Sequence, residues 1–228
     1  MLWKKWLNIV KVENITNKFH LKDISISIEV WKISCLLWPS GWWKSSLLSC
    51  LSGIEKIDAG SISCDWTSIS HPKVGLVAQW LFLRPHLTVR ENITLALISR
   101  WIFDEDLFTQ LVQKFGISKI LNNYPLTCSW WEQQRIAIVR QLLLKPKYLL
   151  LDEVTSSLDI ENIQVLIQTL QEVKNTTGIL IVTHMIHFAK KIADCVYFMD
   201  QWTIIERWNT TILTSPKTLR FKEFLSLQ

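Results

Sequence analysis

The chain has 228 residues, 49% hydrophobic and 20% charged, with a net charge of +5. That composition suits one packed domain, or a core with a modest insertion, and excludes a disordered chain. The mild positive excess is compatible with an anionic partner or an acidic membrane surface, and a solvated basic surface explains it equally well. No apolar run reaches the roughly 18 residues of a transmembrane helix, and the opening MLWKKWLNIV has neither the apolar length nor the cleavage site of a signal peptide. Cytosolic residence is therefore expected. The five cysteines (Cys35, Cys50, Cys64, Cys128, Cys195) form no CxxC pair and are odd in number, which suits free thiols in a reducing compartment. His184 and His187 lack the companions of a zinc set.

In chain order, LNIVKVENI, LKDISISIEV and KISCLL alternate as short strands joined by turns. Residues 44–52 predict a helix, and SISCDWTSI and KVGLVAQ predict further strands. From Thr88 to about Ile120 the pattern is helical. YLLLDE and GILIVTH are short and wholly apolar, as parallel strands buried on both faces read. VYFMD and TIIERW predict a closing hairpin. The sum is an α/β chain with an antiparallel edge and a helical insertion near its middle.

Four segments carry chemistry. Trp38-Pro39-Ser40-Gly41-Trp42-Trp43-Lys44-Ser45 follows an apolar strand and leads into a helix, in the frame of a phosphate loop, G-x-x-x-x-G-K-[ST]. Lysine in that frame reaches the outer phosphates, the next hydroxyl binds Mg²⁺, and backbone N–H groups hold the anion. Lys44, Ser45 and Gly41 are kept, but tryptophan stands at both anchor glycines. The second segment, KYLLLDEVTSSLD, ends a buried strand in Asp152-Glu153: one carboxylate to hold Mg²⁺ and one to orient water, or simply two solvated acids. The third, VTHM, puts His184 at a strand end, where it would contact a γ-phosphate or serve a structural role. The fourth is Cys128-Ser129-Trp130-Trp131-Glu132-Gln133-Gln134-Arg135, shortly before the acidic strand.

With that fourth segment the chain resembles the ATP-binding subunit of an ABC transporter. Residues 128–135 match the family signature L-S-G-G-[EQ]-Q-Q-R; Gln79 in VGLVAQWLFLRPHLTVREN matches its glutamine loop; Ser156-Ser157-Leu158-Asp159 matches its D-loop; and His184 matches its switch histidine. Phe19 best matches the adenine-stacking aromatic. The motifs occur in family order along nearly the whole chain. The resemblance implies a P-loop NTPase core, a mostly parallel sheet flanked by helices, with an antiparallel β subdomain and an α-helical subdomain. It implies one ATPase domain over residues 7–228, with residues of about 90–135 forming the helical subdomain.

It also implies roles. ATP is held by Phe19, Trp38, Pro39, Ser40, Gly41, Trp42, Trp43, Lys44, Ser45, Ser46 and Gln79. Ser129, Trp130, Trp131 and Asp159 complete the pocket, with Ser129 reaching ATP on a second copy in a head-to-tail dimer. Ser45, Gln79 and Asp152 hold Mg²⁺, directly or through water. Glu153 orients or deprotonates water, and His184 stabilises the transferring phosphate. Dimer closure is passed to transmembrane permease subunits through the region around Gln79 and the helical insertion. The chain is expected as a peripheral protein on the inner face of the cell membrane, working indirectly with a substrate-binding protein and with no nucleic acid. GPSGxGKSSLL, LFxxPHLTVxEN, VTHxxxFAxxIADxVxFMD and the tail SPKTLRFKEFL resemble the polar amino-acid importers; the signature would equally suit lipoprotein-export or efflux ATPases. Soluble ABC-type ATPases acting on nucleic acid or ribosomes usually carry two cassettes in one chain, and this chain has one.

The residue counts are unusual: 13 tryptophans and 6 glycines, where average usage would give roughly 16 glycines. Trp38, Trp43, Trp130, Trp131, Trp31, Trp66, Trp202 and Trp208 stand where the family has glycine; Trp3, Trp6, Trp42, Trp80 and Trp101 fall at variable positions. Random decay would scatter several residue types over these sites and would also strike Lys44, Asp152, Glu153 and His184, all of which are intact. Indoles in the loop and signature would occupy the phosphate site and block the partner's ATP. Two readings stand. Either the gene uses UGA for glycine and its sequence is written with a code that reads UGA as tryptophan, or the tryptophans are genuine and the chain is a catalytically dead scaffold.

Overall fold

The runs Ile33–Leu37, Tyr148–Asp152 and Gly178–Thr183 are buried at every position, as strands covered on both faces must be. The computed structural model describes residues 9–16, 21, 23–39, 44–64, 67–68, 74–97, 103–155, 160–208 and 217–226. In chain order the strands are β1 (Ile9–Thr16), β2 (Ile24–Glu29), β3 (Ile33–Leu37), β4 (Ala59–Cys64), β5 (Thr67–Ser68), β6 (Val74–Val77), β7 (Tyr148–Asp152), β8 (Gly178–Thr183), β9 (Cys195–Asp200) and β10 (Thr203–Trp208). The helices are α1 (Lys44–Ser52), α2 (Val89–Thr94), α3 (Glu105–Lys114), α4 (Trp130–Leu142), α5 (Ile160–Val173), α6 (Ile186–Ile192) and α7 (Leu219–Ser226).

The strands form two sheets. An antiparallel sheet has the order β2-β1-β4-β5, and a six-stranded sheet has the order β10-β9-β3-β8-β7-β6. In the larger sheet β9, β3, β8, β7 and β6 run parallel, and only β10 is antiparallel, closing the hairpin with β9. Its side chains alternate between two apolar clusters. Ile33, Cys35, Leu37, Leu149 and Leu151 join residues of α3 to α6 on one face. Leu36, Leu150, Leu180 and Val182 join Ile24, Ile26 and Ile28 of β2 and Leu47, Leu48 and Leu51 of α1 on the other. Two sheets with helices, the larger one mostly parallel, are the α/β P-loop NTPase architecture expected from the motifs.

Between β6 and β7 the described residues contain no strand. The continuous helical pattern read from Thr88 to Ile120 is broken in the structure. Asp104 starts α3 afresh by accepting the Leu107 N–H at 2.9 Å, and Gly116 follows its end at φ +62°. Cys35, Cys50 and Cys128 are buried and Cys195 is half-buried, none of them in a disulfide. Burial pushes the Cys35 thiol well above its usual range, which keeps it protonated and inert.

Two turns bear on the tryptophans. Lys32 N–H donates to Glu29 C=O at 3.2 Å, so Trp31 is the third residue of a four-residue turn, and its φ is +70°. That is the position a type II turn reserves for glycine. In the β9–β10 hairpin Asp200 pairs with Thr203, leaving a two-residue loop of Gln201 (φ +45°) and Trp202 (φ +73°). Two positive φ values define the primed hairpin turn that Asn-Gly fills. The backbone at both positions is therefore shaped for glycine. With glycine at position 31 the protein will be more stable by about 1 kcal/mol than with alanine there, since only alanine keeps the Cβ that crowds a left-handed residue. Urea unfolding of the two variants measures this; alanine equal to glycine would mean the turn makes no such demand.

Candidate nucleotide site

The order of the parallel strands builds the site. β8 lies between β3 and β7, with Leu37 of β3 opposite Thr183 and Asp152 of β7 opposite Val182. Three chain segments therefore emerge side by side at one edge: Trp38-Pro39 after β3, the Asp152-Glu153 pair, and His184. Val77 at the end of β6 pairs with Leu151, so the chain leading to Gln79 leaves at the same edge next to the carboxylates. These are the carboxyl ends of the strands, where open α/β sheets hold their ligands.

Asp152 is buried, at 3% exposure, while Gln79 is exposed. The Glu153 N–H donates to Val182 C=O at 2.9 Å, extending the ladder one residue past Asp152. Glu153 itself has φ +48°, a left-handed backbone that a non-glycine residue keeps only where its surroundings enforce it. Its Oε1 lies 3.2 Å from His184 Nδ1, with the carboxylate nearly enclosed and the imidazole 40% exposed. With Glu153 ionised, Nδ1 carries the proton and donates to it. Below the pair, the Thr155 and Thr183 hydroxyls are 3.3 Å apart in the interior, and Thr183 Oγ1 accepts the Met185 N–H at 3.1 Å. This link ties the turn after Glu153 to the loop bearing His184. The sequence reading missed both threonines; their signal is a hydroxyl buried next to each candidate catalytic residue.

Ser129 is the N-cap of α4. Its Oγ accepts the Glu132 N–H at 3.3 Å, while Glu132 Oε2 accepts from the Ser129 N–H at 2.7 Å and from its hydroxyl at 2.9 Å. This reciprocal box fixes where the helix starts. Trp130 is 43% exposed at that start. Trp131 turns back onto the apolar core, with the Arg135 guanidinium 5.2 Å from its ring centre.

Two steric expectations are corrected. Trp38 does not fill the phosphate side of the loop: it is 6% exposed, packed in the cluster under α1, with its ring edge-on to that of Trp202 at 6.0 Å. Trp131 likewise points inward, and of the two signature tryptophans only Trp130 is exposed. The expected residues Phe19, Ser40, Gly41, Trp42, Trp43 and Asp159 lie outside the described residues, and Lys44 and Ser45 are described only in backbone, as the first turn of α1. Pro39 follows the buried Trp38, and Ser46 is half-buried in α1. Among the described residues no three His, Cys, Asp or Glu side chains cluster to hold a metal ion. Asp152 supplies one buried carboxylate, the donor type that a hard divalent cation takes when water and phosphate oxygens complete its shell.

A loop-to-helix phosphate frame separated by one strand from an acidic strand end, with a histidine just past the intervening strand, defines a P-loop nucleoside triphosphatase. The model of the ABC transporter family matches residues 21–156. The arginine transport ATP-binding protein ArtM of Bacillus subtilis is 37% identical, over 95% of this chain and 98% of its own. The glutamate/aspartate import ATP-binding protein GltL of Escherichia coli is 33% identical, over 90% and 92%. The dimeric structure of MJ0796, a bacterial ABC transporter cassette, superposes with a TM-score of 0.80 at 22% identity, over 88% of this chain and 98% of that one. The chain belongs to the ABC transporter family, as an ATP-binding subunit coupled to transport.

Proposed function

We propose that this chain hydrolyses ATP to energise uptake of polar amino acids. The pairing of Glu153 with His184 beside buried Asp152, next to the start of α1, carries the catalytic part of the reading. Lys44 and the loop backbone hold the outer phosphates, Phe19 stacks on adenine, and Ser129 and Asp159 complete the pocket of a second copy in a head-to-tail dimer. A water oxygen attacks the γ-phosphorus in line, its proton passes toward Glu153, and the bond to the bridging oxygen of ADP breaks. His184 steadies the charge on the transferring group. Ser45, Gln79 and Asp152 would hold Mg²⁺, which when bound neutralises charge on the β- and γ-phosphates.

One ATPase domain spans residues 7–228, with its helical subdomain at about 90–135. Among the described residues no helix is long and apolar enough to cross a membrane, which suits a subunit docked on separate permease subunits at the inner face. The names of ArtM and GltL support amino acids as cargo and, for GltL, import as direction. The cell's own chain carries glycine at the eight family-glycine positions, a reading supported by the left-handed backbone at Trp31 and Trp202.

The test uses the glycine-bearing chain. Purified, it will hydrolyse Mg-ATP, and cells lacking its gene will lose uptake of labelled arginine, glutamine or glutamate. Normal uptake of all three in the deleted strain would defeat the cargo assignment while leaving the ATPase intact. UGG codons at the eight positions would defeat the glycine assignment.

A further inference from the structure

The chain after Gln79 leaves the sheet without ladder partners, since β6 ends at Val77, yet its backbone is firmly held. Arg140, in the last turn of α4, donates from Nη1 to Phe82 C=O at 3.0 Å and from Nη2 to Leu81 C=O at 2.7 Å. The flat guanidinium thus spans two consecutive carbonyls, a two-pronged contact that lysine lacks. Phe82 is held at φ +49° with its ring 71% exposed, while Leu81 is buried beneath it. Such a backbone costs about 1 kcal/mol or more and persists only under restraint. The far end of the segment is pinned by Asn92, which is completely buried. Its Oδ1 accepts the Arg84 N–H at 2.7 Å, and its Nδ2 donates to Arg84, Leu87 and Thr88 carbonyls, each at 3.0 Å.

α4 is a single uninterrupted helix with Ser129 at its capped start and Arg140 in its last turn. At about 1.5 Å rise per residue the two are some 16 Å apart on one rigid rod. Midway, Arg135 donates to Phe115 C=O at 2.7 Å, tying the rod to the end of α3.

We propose that Arg140 and Asn92 are positioning residues, which clamp residues 81–88 to α4 so that the seating of Ser129 against a partner's nucleotide sets the position of Gln79 beside Asp152. The proposal rests on the ATPase reading above. Neither residue touches nucleotide, so their loss acts on turnover and not on ATP affinity.

The experiment uses the full glycine-bearing chain. Arg140→Lys keeps the charge but not the fork, and Arg140→Met keeps neither; kcat for ATP hydrolysis falls by about 10- to 100-fold in both, with KM for ATP unchanged. Amide hydrogen exchange of residues 79–88 responds to ATP in the parent chain and ceases to respond in both variants, while the exchange of α1 still responds. Should the Arg140 variants fail to fold, Asn92→Asp, close in shape but without the Nδ2 donors, gives the same readouts. A lysine variant that keeps full kcat, or residues 79–88 that still respond to ATP in a folded variant, overturns the proposal. A parent chain with no ATP hydrolysis overturns the reading beneath it, and that result is visible before any variant is made.

Discussion

Replacing Glu153 with Gln in the glycine-bearing chain will stop ATP turnover and leave ATP binding in place. The substitution keeps the volume and the hydrogen-bond reach toward His184 at 3.2 Å but removes the basic oxygen. A general base is worth about 10²–10⁴ in rate, and the loss is expected on kcat because the proposed phosphate ligands, Lys44 and the loop backbone, are left untouched. Lys44→Ala does the reverse and raises the dissociation constant for ATP. A charge-assisted contact contributes about 1.5–3 kcal/mol, or roughly 10- to 100-fold in affinity. Nucleotide binding by fluorescence and phosphate release by colorimetry separate the two effects. Preserved turnover in Glu153→Gln would remove Glu153 from the chemistry, and unchanged affinity in Lys44→Ala would remove Lys44 from the phosphates.

Much of this site was legible in the sequence because the parallel strands announce themselves. Tyr148–Asp152 and Gly178–Thr183 are too short for helices and apolar throughout, so the acids and His184 that follow them had to emerge at strand ends. The strand order was not legible. That β8 separates β3 from β7 is a long-range property, and it is what sets His184 against Glu153. Gly178 shows how local this control can be: a Cβ there would come within 2.8 Å of Tyr148 and 3.0 Å of the Glu29 carbonyl oxygen, so glycine lets β7, β8 and the end of β2 meet. Nor did any pattern reveal the grip of Arg140 on Leu81 and Phe82. Its partners are backbone carbonyls, which leave no trace in residue type. Trp38 and Trp131 misled for the opposite reason. Their identity suggested obstruction, whereas their rotamers turn them into apolar clusters that the sequence does not place.

That distinction shapes the second prediction, which compares the sequence as written with its glycine counterpart. The tryptophan form will bind ATP poorly and hydrolyse none, and the glycine form will do both. The defect is not spread evenly over the eight positions. Trp31 and Trp202 occupy turn positions of positive φ and cost stability there. Trp38 and Trp202 pack edge-on, so they must revert together; reverting one alone leaves the other against a cavity. Trp43 directly precedes Lys44 in the proposed phosphate loop, so reverting it after positions 38 and 202 have been returned to glycine is expected to recover most ATP affinity. Turnover will still be missing, because Trp130 remains exposed at the start of α4, beside the Ser129 proposed to meet the partner's ATP. Only its reversion restores hydrolysis, whereas reversion of Trp131 alone, with its ring turned onto the core and Arg135, does not. Stepwise reversion with ATP affinity and phosphate release read at each stage measures this order. Equal hydrolysis by the fully tryptophan and fully glycine forms would overturn it and would leave the indoles as ordinary surface and core residues.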